Sequence, residues 1–285
     1  MGLDIYVGTL TRYYSGNWKL INQIIAEQEG MTFSIKTPEG EYTPPTYTPK
    51  EIEEIRNNIE DWQTYLLDSI PEDYKETMWE ENMQKGYFTD KPGYEAWTAL
   101  CIFQYATILN KPFPKTICRD TMLECPLLKE GKEKEIQSSL MEVQLWLPLK
   151  YSYMFSFIDP MNKDATMATV SFLEKELINL NNATWKADER TILSWRNDEY
   201  YNPIKENKNF LMRLFHKKDE VKSPAYYTES LAKCAYSILY KAVKFAKENN
   251  WQVKNGIAFG VYRGYMMSMQ EGAGWKSLSI AARLE

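Results

Sequence analysis

Leu3-Asp4-Ile5-Tyr6-Val7-Gly8-Thr9-Leu10-Thr11 is the stretch from which the fold is read. Its period-two alternation predicts a β-strand with Leu3, Ile5 and Val7 on a buried face and Asp4, Tyr6 and Gly8 on the other. Ser15-Gly16-Asn17 then makes a turn, and Asn17 can cap a helix that carries Trp18, Ile21, Ile24 and Ile25 as a stripe until Gly30 stops it. The chain therefore opens strand-turn-helix. Residues 37 to 49 hold four prolines among Thr and Tyr and are expected to form an extended surface loop.

Helices and strands are interspersed through the remainder of the chain. Thr48-Pro49-Lys50-Glu51 combines an N-cap, a proline at the first helical position and the glutamate of a capping box. The helix it starts has Ile52, Ile55, Ile59, Trp62 and Leu66 on one stripe and Glu53, Glu54, Glu60, Asp61 and Asp68 opposite, and Pro71 ends it. A second helix, near Tyr94 to Leu109, has apolar residues around its whole circumference and is expected at the centre of the core. Val143 to Leu147 and Tyr151 to Phe157 alternate as two strands joined by a tight corner. Ser171 and Glu174 start a short helix with Leu173, Leu177 and Leu180, and a long one spans about Pro224 to Lys247. A last strand, Ile257 to Tyr265, sets Gly256, Gly260 and Gly264 on one face. Without a regular βαβ rhythm, the class is α+β, a mixed or antiparallel sheet packed with several long helices in one domain, 1-285. Residues 110 to 135, with prolines, two cysteines and the charged run Lys129 to Glu135, are the place for an internal boundary or a long exposed connection.

Composition narrows the chemistry. One histidine, His216, excludes multi-histidine zinc sites, and Cys101, Cys118, Cys125 and Cys234 have no C-x-x-C spacing. They read as reduced thiols. With no signal peptide and no apolar run of roughly 18 to 20 residues, a cytoplasmic protein outside the membrane is expected, carrying no metal and no cofactor. The net charge of -5 is uneven, because residues 50 to 90 hold twelve acids and four bases. That acidic segment argues against nucleic acid and for a basic protein partner.

Candidate sites carry two readings each. Asp4, Tyr6, Arg12, Tyr13, Tyr14 and Trp18 form the densest polar-aromatic cluster; strand alternation brings Asp4, Tyr6 and Arg12 to one side of the sheet, a face able to bind an anion or position a carboxylate, or else Asp4 and Arg12 are unrelated surface charges and the rings pack beneath the following helix. Arg263, between the late glycines and ahead of Gly272-Ala273-Gly274, can clamp a phosphate or carboxylate, or pair with a surface acid. Glu80-Glu81, Asp188-Glu189 and Asp198-Glu199 invite a metal or two-carboxylate reading but lack the spacing of a Ca²⁺-binding loop and read as solvated charge, and His216, in a basic run, reads as non-catalytic. Lys233, Tyr236, Tyr240, Lys244 and Lys247 mark an outer helix face that could stack single-stranded nucleic acid or stand as ordinary surface.

Met-Gly-Leu-Asp-Ile-Tyr-Val-Gly, with Leu10-Thr11-Arg12-Tyr13-Tyr14 and Gly16-x-Trp18, resembles the start of an uncharacterised family of bacterial cytoplasmic proteins. Leu145-Trp146-Leu147-Pro148 and the helix from Ser171 resemble that family's middle. The resemblance implies a bacterial origin and a shared fold and carries no activity with it.

Two functional expectations emerge. The first is a non-enzymatic binding module whose partner surface is Glu53, Glu54, Asp61 and Asp68, in a toxin-neutralising (immunity-like) or mobile-element accessory role. The second is a carboxylate- or tyrosine-dependent enzyme acting on a small polar or phosphorylated molecule, with Asp4, Tyr6, Arg12 and Arg263 meeting at one sheet face.

Overall fold

The computed structural model describes residues 4–19, 21–32, 35–37, 40–42, 47–74, 79–196, 224–248 and 258–262. The opening strand is shorter than its alternation suggests. β1 runs Asp4–Gly8, and Thr9 then caps a one-turn helix, α1 (Leu10–Tyr14), its Oγ1 accepting the Arg12 N–H at 3.4 Å. A hydroxyl cap overrides the apolar period at Thr9 and turns the backbone. Trp18 precedes α2 (Ile21–Gln28) rather than lying in it, and the expected loop begins as a hairpin of β2 (Ile35–Thr37) and β3 (Gly40–Tyr42).

α3 (Pro49–Ser69) starts as its motif requires: Thr48 Oγ1 accepts the Glu51 N–H at 3.3 Å and Glu51 Oε2 accepts the Thr48 N–H at 2.7 Å. β4 (Phe88–Asp90) leads into α4 (Tyr94–Leu109), in which every residue from Ala96 to Ala106 is buried. Left-handed Asn110 ends it, its N–H returned to the carbonyls of Ala106 and Thr107. Next come β5 (Thr116–Cys118), α5 (Pro126–Glu133), α6 (Ser139–Glu142), β6 (Leu145–Leu147), β7 (Met154–Ile158), β8 (Asp164–Thr169), α7 (Val170–Ala183), α8 (Glu189–Ser194), β9 (Ala225–Tyr227), α9 (Thr228–Glu248) and β10 (Ala258–Tyr262).

The protein is α+β. Its principal sheet has the order β4-β1-β10-β6-β8-β7 and is mixed, with β6 and β8 parallel and the other pairs antiparallel. Two expectations fail here. β6 and β7 do not form a cornered pair, because β8 lies between them; and α7 is capped by Thr169, whose Oγ1 accepts the Phe172 N–H at 3.1 Å, rather than by Ser171.

Alternation along the strands loads both sheet faces. Ile5, Val7, Trp146 and Ala168 point into a core with α4, α7 and α9, to which Ile117, Met122, Leu127 and Leu128 from the 110–135 segment also belong. Leu145, Leu147, Ala165 and Met167 point the other way, against Leu10 of α1 and Ile59, Trp62 and Leu66 of α3. The sheet is thus held between two helical layers, and Tyr6, whose neighbours Ile5 and Val7 face α4 and α9, stands on the α1/α3 side. Among the described residues no helix is long and apolar enough to cross a membrane.

Candidate functional site

Tyr6 is fully buried, and the shape of its pocket is set by Gly8. The tyrosine ring folds back along the strand so that a Cβ at position 8 would lie 2.7 Å from its Cζ, and the phenol donates to the Thr9 carbonyl at 3.0 Å. Tyr13 and Trp18 close over it with centroids at 5.4 and 5.2 Å, and Tyr87 stacks at 6.0 Å. Trp18 in turn stacks on Tyr13 at 5.8 Å and donates to its carbonyl at 3.2 Å. Across the sheet Tyr6 is paired with Gly260, so one of the late glycines places no side chain beside this nest. Burial drives the phenol pKa of Tyr6 far upward, and burial with the Asp159 charge does the same to Tyr14. Neither exchanges protons near neutrality.

Arg12 corrects the strand-face arrangement, because it lies on α1 and not on an extension of β1. Its guanidinium donates to the carbonyls of Asn17 (3.1 Å) and Lys85 (3.4 Å) and sits 4.9 Å from the Tyr87 ring centroid. It staples the 79–90 segment to α1. Asp4 contributes its backbone to β1 opposite Tyr262; its side chain, together with Arg263, Gly256, Gly264, Gly272, Gly274, His216 and Asp198-Glu199, lies outside the described residues.

Beneath the nest is a residue that sequence reasoning misassigned. Glu81, taken with Glu80 as solvated charge, is 4% exposed, whereas Glu80 is at the surface paired with Lys85 at 3.1 Å. Glu81 Oε2 accepts the Thr11 N–H at 2.7 Å, and Oε1 accepts Trp79 Nε1 at 3.2 Å and Gln63 Nε2 at 3.3 Å. Burial raises its carboxyl above the ordinary range against these bonds. One carboxylate therefore ties α1, α3 and the segment ahead of β4 together. The available signal was Trp79 two positions before it, since an acid in phase with a buried indole in extended chain shares its inward side. Glu176 plays the same part elsewhere: half-buried on α7, it accepts from the Ser139 N–H at 3.0 Å, the Ser139 hydroxyl and Gln104 Nε2 at 3.3 Å, and burial raises its carboxyl too. Asp90, buried on β4, takes a two-pronged bond from Arg196 at 2.8 and 3.1 Å.

The outer face assigned to the last long helix is also corrected. Tyr236 is buried and donates to the Leu177 carbonyl at 2.9 Å, while Lys244 pairs with Glu189, Lys247 with Glu174 at 2.5 Å, and Lys233 with Glu229 at 2.8 Å. Those cations are tied to acids of the same chain.

The acidic face of α3 is laid out differently. Glu53, Glu54, Asp61 and Asp68 are all exposed. Glu53 pairs with Arg56 at 2.9 Å and Glu54 with Lys50 at 3.8 Å, but Asp61 and Asp68 have no cationic partner among the described residues. Between them Tyr65 is 55% exposed and its ring lies 5.2 Å from Phe157 of β7. The turn after the helix adds exposed Glu72 and Asp73. Tyr74 then meets Tyr151 and Tyr153 edge-on at 5.2 and 5.0 Å.

Among the described residues no group of three or more His, Cys, Asp or Glu side chains is placed to hold a metal ion. No protein-family model, curated protein or solved structure matches the chain.

Proposed function

We propose that the chain is a cytoplasmic, non-enzymatic binding module that engages a basic protein partner through the acidic, tyrosine-bearing face of α3. The observation that carries this is the placement of exposed Tyr65 on one helix face with the carboxylates of Asp61 and Asp68, which have no cationic partner among the described residues. An aromatic anchor supplies desolvated contact area, and surrounding acids steer and select a cationic partner. The tyrosine-dependent enzyme is the weaker reading, because Tyr6 and Arg12 direct their polar atoms to backbone carbonyls of the same chain. Four free thiols, three of them buried, accord with a reducing compartment. A toxin-neutralising or mobile-element accessory role is one form such a module takes.

Retention on immobilised poly-lysine, eluted with rising salt, tests the surface. Asp61→Lys/Asp68→Lys is expected to elute well before Glu124→Lys/Glu133→Lys, which makes the same change of charge at exposed positions elsewhere. Equal elution of the two variants refutes a role for this face.

A further inference from the structure

Among the described residues β7 ends the principal sheet, and its register shows which way its backbone points. Thr169 donates to the Tyr153 carbonyl at 3.1 Å and Asp159 to the Lys163 carbonyl at 2.7 Å, both on the β8 side. In an antiparallel ladder the direction alternates, so residues 153, 155, 157 and 159 turn toward β8 and Met154, Ser156 and Ile158 turn away from the sheet. Trp62 confirms the direction by donating to the outward Ile158 carbonyl at 2.7 Å. Among the described residues the outward N–H and C=O of Met154 and Ser156 have no partner.

Such an edge is ordinarily blunted by a lysine, a proline or a bulge, because it offers a template to any extended chain. β7 reads Met-Phe-Ser-Phe-Ile, with none of these. What stands beside it is the acidic side of α3: Trp62 holds its Ile158 end, Tyr65 lies against Phe157, and Tyr74 lies against Tyr151 and Tyr153 toward its start. Asp61, Asp68, Glu72 and Asp73 line this aromatic row on the helix and the turn after it, all exposed. Lys150 and Lys163 fall beyond the strand's two ends.

We propose that the open edge of β7 takes up an extended basic segment of a partner protein as an added strand, with alternate side chains of that segment directed to Tyr65, Asp61 and Asp68. Main-chain bonds to Met154 and Ser156 give the register, and the acids select lysine or arginine at alternate positions. A second copy of this chain is disfavoured as the occupant, because antiparallel pairing of two β7 edges brings two acidic α3 faces together. This inference rests on the reading of the chain as a binder of basic partners.

The probe is a fluorescent peptide of alternating lysine and valine, monitored by anisotropy at low salt, beside two versions N-methylated at alternate residues, one on the lysines and one on the valines. N-methylation removes main-chain donors while keeping the charge. The intact chain is expected to bind the unmodified peptide and to discriminate between the methylated versions, one binding about tenfold or more weaker than the other through loss of donors facing β7. Ser156→Pro, which deletes an outward N–H of the protein, is expected to weaken binding to a similar degree, as is Asp61→Lys/Asp68→Lys. If the methylated peptides and Ser156→Pro bind as well as their parents while the charge-reversed variant does not, strand addition is overturned and the basic-partner reading stands. If the intact chain binds no lysine peptide, both fall. A concentration-dependent dimer of the intact chain that Ser156→Pro abolishes assigns the edge to a second copy and also overturns the proposal.

Discussion

Removing the Glu81 carboxylate tests whether a buried acid holds the α1/α3 side of the molecule together. Glu81→Ala leaves three buried donors without their acceptor: the Thr11 N–H, Trp79 Nε1 and Gln63 Nε2. Each orphaned donor costs about 1 to 3 kcal/mol, and because the three share one cavity the sum is taken near its low end, about 3 kcal/mol. With a urea slope of roughly 3 kcal/mol per molar, the unfolding midpoint falls by about 1 M at unchanged slope. Glu81→Gln is expected to be far milder. Its amide oxygen still accepts from Thr11, and Gln63, whose Oε1 is buried without a partner, can turn that oxygen to the new amide, so that Trp79 Nε1 alone of the three donors loses its acceptor. The two variants also separate by pH. Burial raises the Glu81 carboxyl above 4.5, so the folded state holds its proton at pH values where the unfolded chain has released it. Stability from this group is therefore complete below 4.5 and is lost as pH rises through the raised value. The native chain should lose stability across that window relative to Glu81→Gln, which has no proton to release there. A midpoint shift for Glu81→Ala of less than about 0.3 M in urea, or parallel pH profiles for the native chain and Glu81→Gln, would refute the assignment.

The packing sets two further outcomes. Gly8→Ala drives a methyl into the Tyr6 ring, and the fully buried ring has nowhere to retreat, so a loss of about 1 to 3 kcal/mol is expected in the same urea titration; a neutral effect would show that the ring does not fold over the strand. In native buffer a maleimide should modify Cys118, which is half-buried on β5, well before Cys101, Cys125 and Cys234, as read by peptide mass spectrometry; equal labelling would show that the three interior thiols are open.

What the sequence revealed were the elements whose signals are local. The capping box at Thr48 and Glu51 and the all-round apolar run from Ala96 to Ala106 each lie within a few turns of helix, and both recur in the structure as expected. β8 escaped because Asp164-Ala-Thr-Met-Ala-Thr carries small side chains where an alternating strand normally shows large apolar ones; its Ala165 and Met167 are buried under α3 and its Ala168 under the opposite layer. Arg12 was misplaced because an apolar period runs through Thr9, where the hydroxyl cap starts a helix. Glu81 was misread for a different reason. Its acceptor role depends on Thr11 and Gln63, and nothing in the adjacent pair of acids distinguishes the buried one from the solvated one except the indole two positions earlier. The acids of α3 were legible from helical periodicity alone, since exposure on the far side of a core stripe is a local property. The open edge of β7 was not, because an edge is defined by what pairs with it, and among the described residues nothing does on that side.

The placement of β10 bears on how the chain is made. Among the described residues it is the only strand that joins β1 and β4 to β6, β8 and β7, and its register sets Asp4 opposite Tyr262. As the polypeptide emerges from the ribosome, β1 waits beside β4 with its other flank uncovered until residues 258–262 have been synthesised. That wait leaves the backbone N–H and C=O groups on the β10 side of β1 unpaired, and it makes sheet closure a late, long-range step of folding.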